Sequence, residues 1–199
     1  MRRLCLAAAA ACLLLLAACA GPESWEREIL AMDTVMKLTI YGENAPQAGE
    51  AAVDRIQELE GLLSVTGEDS EIYAANHTGS AQLSPDAAAL LDRALTLCRE
   101  TGGALDVTIY PVVRAWGFTT GAYRVPDDGE LTALLERVDY RQAALEGDRL
   151  TLPEGVELDL GAVAKGYTGD QLMALLAREG LASAIGELGG NVHALGAQP

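Results

Sequence analysis

Asp159-Leu-Gly-Ala-Val-Ala-Lys-Gly-Tyr-Thr-Gly-Asp170 and, further on, Gly186-Glu-Leu-Gly-Gly-Asn191 carry the densest chemistry in this 199-residue chain. The apolar alternation over 156–160 predicts a strand that ends on an acid. A Gly/Ala-rich turn then leads into a helix over 164–179, closed by Gly180. Strands over 182–185 and 191–195 flank Gly189-Gly190. Small residues let backbone N–H groups approach phosphate oxygens, and a helix N-terminus adds a favourable dipole. Lys165 adds a point charge. The combination suits a phosphate-bearing ligand with a polar head group. Each piece alone has a plainer reading: Asp159 as a helix N-cap, Lys165 as a solvated lysine, Gly-Gly-Asn as an ordinary turn.

Outward from this stretch, residues 29–41 read as one strand ending at Gly42, and 45–63 as a helix with Ala52, Ile56, Leu59 and Leu63 on one face. Residues 63–72 and the Asn76-His77-Thr78 run read as loop. Ser84-Pro85-Asp86 is a strong helix start, with Ser as N-cap, Pro at the first position and an acid in the first turn. That helix stops at Gly102-Gly103. A short helical segment follows over 111–118, another helix opens at Pro126-Asp127 and ends near Val138, and 143–145 with 149–152 form a hairpin around Gly147-Asp148. No internal repeat or second domain boundary is visible. After Asn191–Leu195 the chain runs into Gly196-Ala197-Gln198-Pro199, which reads as the start of a connecting loop, so truncation is expected.

The N-terminus reads as a targeting signal. Met1-Arg2-Arg3 is a basic n-region, 4–18 is almost wholly apolar, and Leu16-Ala17-Ala18-Cys19 reads as a lipobox. The expected division is therefore a lipoprotein signal peptide over 1–18, a lipidated tether over 19–28, and one domain from 29 to 199. The plainer alternatives are a secretory signal cut elsewhere or an uncleaved anchor. Diacylation and N-acylation of Cys19 supply enough buried CH2 groups for stable anchoring. The protein is thus expected to be bacterial, exported and lipid-anchored, facing the periplasm or the outside.

The chain carries a net charge of −15 from 14 basic and 29 acidic residues. Loss of Arg2 and Arg3 leaves 12 against 29, about −17. Such acidity argues against nucleic acid and against electrostatic binding to anionic lipid. An anionic substrate would need a lysine, a metal or backbone N–H donors. Of the 4 cysteines only Cys98 remains beyond the lipobox, so no intramolecular disulfide is available. Cys98 falls in an amphipathic helix as a structural thiol, with a nucleophile as the alternative.

Other residues bound the chemistry. Asp106 and Thr108 lie on one face of an extended segment after Gly102-Gly103. Trp116-Gly117-Phe118 could border a flavin or adenine ring, or anchor the core. His77 reads as solvated and His193 as half-buried in a strand, which argues against a Ser-His-Asp hydrolase. No Cys/His spacing suits zinc, and any metal would be Mg2+ held by oxygens. Ala-Lys-Gly-Tyr-Thr has the wrong order for a P-loop, and no Gly-x-Gly-x-x-Gly opens a βαβ unit.

Taken together the segments resemble the ApbE family, the FAD:protein FMN transferases. The resemblance runs through Met32-Asp33-Thr34, where the family usually has Met-Gly-Thr; Leu63-Ser64 to Asp69-Ser70-Glu71-Ile72 with Asn76; Gly103-Ala104-Leu105-Asp106-Val-Thr108 with Pro111 and Trp116-Gly117-Phe118; Asp159 to Tyr167 with Asp170; and Leu188-Gly-Gly-Asn191. It implies a single T-fold-related α+β domain with mixed β-sheets and packed helices. It implies a Mg2+-dependent enzyme that splits FAD and passes FMN to a threonine of an acceptor flavoprotein, releasing AMP. The acceptors implied are subunits of membrane redox complexes. FAD pyrophosphatase activity, giving FMN and AMP, is the alternative within enzymes, and a non-catalytic flavin-binding lipoprotein the alternative outside them. Carried over by position, Met32, Thr66, Ala104, Leu105, Asp106, Asp159 and Lys165 contact FAD, and the carbonyl of Ala162 binds Mg2+. Thr66 replaces the aromatic residue often found there. The resemblance also implies that the C-terminal part of the domain lies beyond Pro199, with an aspartate and a threonine that ligate the metal.

Overall fold

A computed structural model of the protein describes residues 23–197. The signal peptide and Cys19 lie outside the described residues. The chain opens with a hairpin, β1 (Ser24–Ala31) and β2 (Thr34–Tyr41), paired antiparallel over their full length. The expected single strand over 29–41 is therefore two strands, and the expected tether over 19–28 gives its last residues to β1. Met32 and Asp33 make the reversal. Both have positive φ, 49° and 57°, the pattern of a two-residue hairpin turn whose twist matches its strands.

The helix over Ala45–Leu63 (α1) forms where its periodicity places it, and buries Ala45, Ala48, Ala52, Ile56, Leu59 and Leu63. Next come α2 (Glu71–Thr78), β3 (Ser80–Gln82) and α3 (Pro85–Glu100). The helix α2 replaces the loop expected around Asn76-His77-Thr78. Ser70 caps it by accepting from the Ile72 and Tyr73 N–H groups, and Gly79 closes it in the left-handed region. The serine before Pro85 caps α3, as its sequence indicates. Two short helices follow, α4 (Tyr110–Ala115) and α5 (Asp128–Leu135), then the expected hairpin β4 (Ala144–Glu146) and β5 (Arg149–Thr151).

The strand expected over 156–160 does not form. Its backbone groups find partners outside a ladder. Asn76 donates from Nδ2 to the Leu158 carbonyl at 2.9 Å and accepts the Leu158 N–H at 2.7 Å. Asp159 N–H donates to the Val107 carbonyl at 2.8 Å. One isolated parallel bridge joins Ile109 to Glu157. The chain then enters α6 (Gly161–Arg178) and ends in β6 (Ser183–Leu188) and β7 (Asn191–Gly196).

The fold is α+β as expected. Its strands form a four-stranded sheet in the order β1-β2-β6-β7 and a three-stranded sheet in the order β3-β5-β4. Every strand pairing is antiparallel. The expected mixture of strand directions reduces to the isolated bridge. Along β2 the buried residues Met36, Leu38 and Ile40 alternate with more exposed neighbours, so one sheet face lies on α1 and α6 and the other meets solvent. The core has two buried clusters. One joins that inner face to Ile56, Leu172 and Leu176. The other gathers Leu59, Ile72, Leu90, Leu91, Leu150 and Leu158. Each fully buried side chain of this size contributes about 1.5–3 kcal/mol. Helices α1 and α6 contribute to both clusters, so they seat the two sheets on one shared layer.

Candidate functional site

A cleft of about 390 Å³ opens beside the Met32-Asp33 turn. The turn forms one wall. Its shape is held from both sides: Met32 N–H donates to Glu60 Oε1 on α1 at 2.7 Å, and the Thr168 hydroxyl of α6 lies 3.7 Å from the Met32 sulfur. The end of α1 forms the next wall. There Ser64 Oγ accepts the Thr66 N–H at 3.2 Å and the Gly67 N–H at 2.9 Å, which curls the loop and brings Thr66 to the cleft. The third wall is the start of α6, with Asp159, Gly161, Ala164 and Lys165. Phe118 and Thr119 close the remaining side.

The α6 wall combines several features an anion can use. Leu160, at the N-cap position, offers no side-chain cap. The cap comes instead from Asp159, whose Oδ1 accepts the Gly161 N–H at 2.7 Å. Its Oδ2 has no partner among the described residues. So the helix-cap reading of Asp159 and the cleft-facing reading are both realised. Lys165 is half-buried and makes no ion pair among the described residues. It is the one basic residue lining the cleft, against Asp33, Glu60 and Asp159. An anionic ligand would meet a helix N-terminus and one ammonium, in a lining whose other charged residues are acidic.

Of the residues expected to bind, the cleft gathers Met32, Thr66, Asp159 and Lys165. Ala162 lies in the first turn of α6, between two residues that line it. Ala104, Leu105 and Asp106 do not line it. Asp106 is engaged within the fold: Oδ1 accepts the Thr108 N–H at 2.9 Å and its hydroxyl at 2.6 Å, and Oδ2 accepts the Tyr140 N–H at 2.9 Å. Leu105 packs against the core. This segment reaches the site through its neighbour Val107, whose carbonyl holds the Asp159 N–H.

Of the aromatic pair, Phe118 borders the cleft and is 60% exposed, while Trp116 does not line it and lies behind Phe118 at a ring separation of 6.3 Å. Glu60 is a site residue that sequence reasoning missed. It sits among charged residues on a helix, and only the folded turn shows what it holds. Other readings settle as structural. Cys98 is fully buried, and burial pushes its thiol up. His77 belongs to α2 and stacks on Tyr73 at 3.8 Å. His193 is half-buried against α6, 3.5 Å from Asp170.

Comparison with known proteins adds to this geometry. The profile of the ApbE family matches residues 32–199. The FAD:protein FMN transferase of Treponema pallidum (strain Nichols) is 34% identical over 187 residues, which covers 86% of this chain and 52% of the relative. That of Klebsiella pneumoniae (strain 342) is 30% identical over 157 residues, 74% of this chain and 50% of the relative. The chain thus spans about half the length of the curated relatives it matches. Among solved structures, the ApbE protein of Thermotoga maritima superposes with a TM-score of 0.82 at 25% identity, covering 87% of this chain and 59% of that one. The flavin transferase ApbE of Vibrio cholerae gives 0.79 at 25% identity, with 86% and 59% covered.

Proposed function

This chain belongs to the ApbE family, and from that premise we propose that it supplies the FAD cradle of an enzyme that moves FMN from FAD to a threonine of an acceptor flavoprotein. The observation that carries the reading is one cleft that gathers Met32, Thr66, Asp159 and Lys165 from three distant parts of the sequence. In the proposed reaction the threonine oxygen attacks the FMN phosphorus, the P–O bond to the AMP phosphate breaks, AMP departs, and the hydroxyl proton is lost.

The chain's own groups bind and orient. The first turn of α6 aims backbone N–H dipoles at phosphate oxygens. Lys165 adds positive charge where negative charge builds up as the bond breaks. Phe118, Thr66 and the Met32 turn flank the organic part of the ligand. Asp159 and the Ala162 carbonyl are oxygen donors of the kind Mg2+ takes. No group of three or more His, Cys, Asp or Glu able to hold a metal ion occurs among the described residues, so these donors do not by themselves make a full site. Held by these donors, Mg2+ would supply charge neutralisation at the phosphates.

The acceptor class proposed is a subunit of a membrane redox complex. The site of action proposed is the outer side of a bacterial membrane, with the domain held through lipid on Cys19. The test is an acceptor domain bearing a flavinylation threonine, incubated with FAD, Mg2+ and the full chain and read by in-gel flavin fluorescence with an EDTA control. An EDTA-sensitive fluorescent band, at least ~10-fold weaker with Lys165→Ala, would support the transferase reading. AMP release without a labelled acceptor would point to FAD hydrolysis instead, and flavin binding with neither would point to a carrier.

A further inference from the structure

We propose that Tyr167 is a positioning residue that sets the direction of Lys165, acting through Asp86 and Arg55. The inference rests on the flavin reading of the cleft.

The three side chains form one node. The Tyr167 hydroxyl donates to Asp86 Oδ1 at 2.8 Å, and Arg55 Nη2 donates to the same oxygen at 2.5 Å. Arg55 also donates from Nη1 to Glu58 Oε2 at 2.7 Å. A single carboxylate oxygen thus ties α6 to the first turn of α3 and to the middle of α1. The Arg55 and Asp86 side chains are only 17% and 24% exposed, so water competes weakly for these bonds. Burial, then the bond to Asp86, pushes the Tyr167 hydroxyl up to about 12. It therefore remains a hydrogen-bond donor throughout the neutral range.

The node lies where it can govern the cleft without touching it. Successive residues of an α-helix are about 100° apart, so Lys165 and Tyr167 point to opposite flanks of α6. Lys165 lines the cleft and Tyr167 does not. A tie on one flank fixes the rotation of the helix about its axis, and with it the direction of the other flank. A rotation of about 20° moves an ammonium ~8 Å from the axis by ~3 Å, the length of a hydrogen bond. The start of α6 is also held by the Asp159 bond to Gly161 and by the burial of Ala164 and Thr168, and the node is its tie on the Tyr167 flank. The other end of the node is on α1, whose Glu60 holds the Met32 turn. The node therefore sets the α6 wall of the cleft against the α1 wall.

The test is a double-mutant cycle on FAD binding by the full chain, read by quenching of flavin fluorescence, with a thermal melt of every variant. Tyr167→Phe is expected to weaken FAD about 5–10-fold and Lys165→Ala about 10-fold or more, with Tyr167→Phe adding no further loss in the Lys165→Ala background. A merely structural tyrosine would lower the melting temperature and cost the same factor in both backgrounds. That additive result, or wild-type affinity in Tyr167→Phe, overturns the proposal. Should Tyr167→Phe melt below the assay temperature, Asp86→Ala removes the acceptor in place of the donor and has the same expected non-additive pattern. If wild type binds no FAD, or Lys165→Ala binds as wild type does, the flavin reading itself falls and the positioning role falls with it. Expected behaviour of wild type and Lys165→Ala, with Tyr167→Phe unaffected, removes the positioning role alone.

Discussion

Gly189 shows how a single residue can bring two separated parts of the chain together. It lies in the turn between β6 and β7 with φ +58°, and an added Cβ would sit 2.5 Å from Thr34 Cγ2. The glycine thus lets the Gly-Gly-Asn turn close against the Met32-Asp33-Thr34 turn. Gly189→Ala is expected to cost about 2–3 kcal/mol in urea unfolding, from backbone strain plus overpacking. Gly190→Ala is expected to cost about half as much, because φ is +100° but no heavy atom lies within 4 Å. Asp86 is a part-buried carboxylate whose charge answers to pH. Burial raises its pKa, but hydrogen bonds from Arg55 and Tyr167 outweigh this and hold it below the usual 3.8. A folded-state value below the unfolded one gives stability that is present above about 3.8 and is lost as pH falls through the folded value. The difference in unfolding free energy between wild type and Asp86→Asn should therefore be flat from about pH 7 to pH 5 and shrink below about pH 3.8.

Among the elements, α2 was hardest to read from sequence and matters to the site. Its eight residues carry little amphipathic pattern, and only Ile72 and Ala75 are buried. What holds it is Ser70, buried, which accepts from the Ile72 and Tyr73 N–H groups and donates to the Leu62 carbonyl at 2.8 Å. Ser70 therefore caps one helix and ties it to the end of another, on either side of the loop that carries Thr66. Ser70→Ala is expected to lower stability by about 1–2 kcal/mol in thermal or urea unfolding. On the proposed flavin reading it should also weaken FAD binding by loosening that loop. By contrast α1 and α3 were legible, the first from apolar spacing and the second from its Ser-Pro-Asp start. The segment at 156–160 reads as a strand because its side chains alternate. It is not one because Asn76, far away in sequence, takes both backbone groups of Leu158.

For the whole molecule, charge is the quantity the cleft must work against. The net charge of −15 repels a dinucleotide approaching from solution, and the repulsion reaches furthest at low salt. The screening length falls from about 30 Å at 0.01 M to about 8 Å at 0.15 M. On the proposed flavin reading, the association rate of FAD in stopped-flow mixing should therefore rise ~2–5-fold over that range. Dissociation should respond less, because it depends on contacts made inside the cleft.

Through its family resemblance the sequence determined the α+β class. By itself it also determined the principal helices with their caps, the two Gly-marked hairpins, and the segments Met32-Asp33-Thr34, Asp159 to Tyr167 and Leu188 to Asn191 as the chemistry-bearing ones. These rest on local physics: helical and strand periodicity, capping, turn conformations and ligand-friendly small residues. Only the tertiary structure decided that Met32, Thr66, Asp159 and Lys165 share one cleft while Asp106 is engaged inside the fold. Only it showed that β1 begins before Ile29, that Glu60 holds the Met32 turn and that Tyr167 bonds Asp86. Those outcomes depend on strand register and helix rotation, which are fixed by contacts between residues far apart in the chain and leave no local pattern to read.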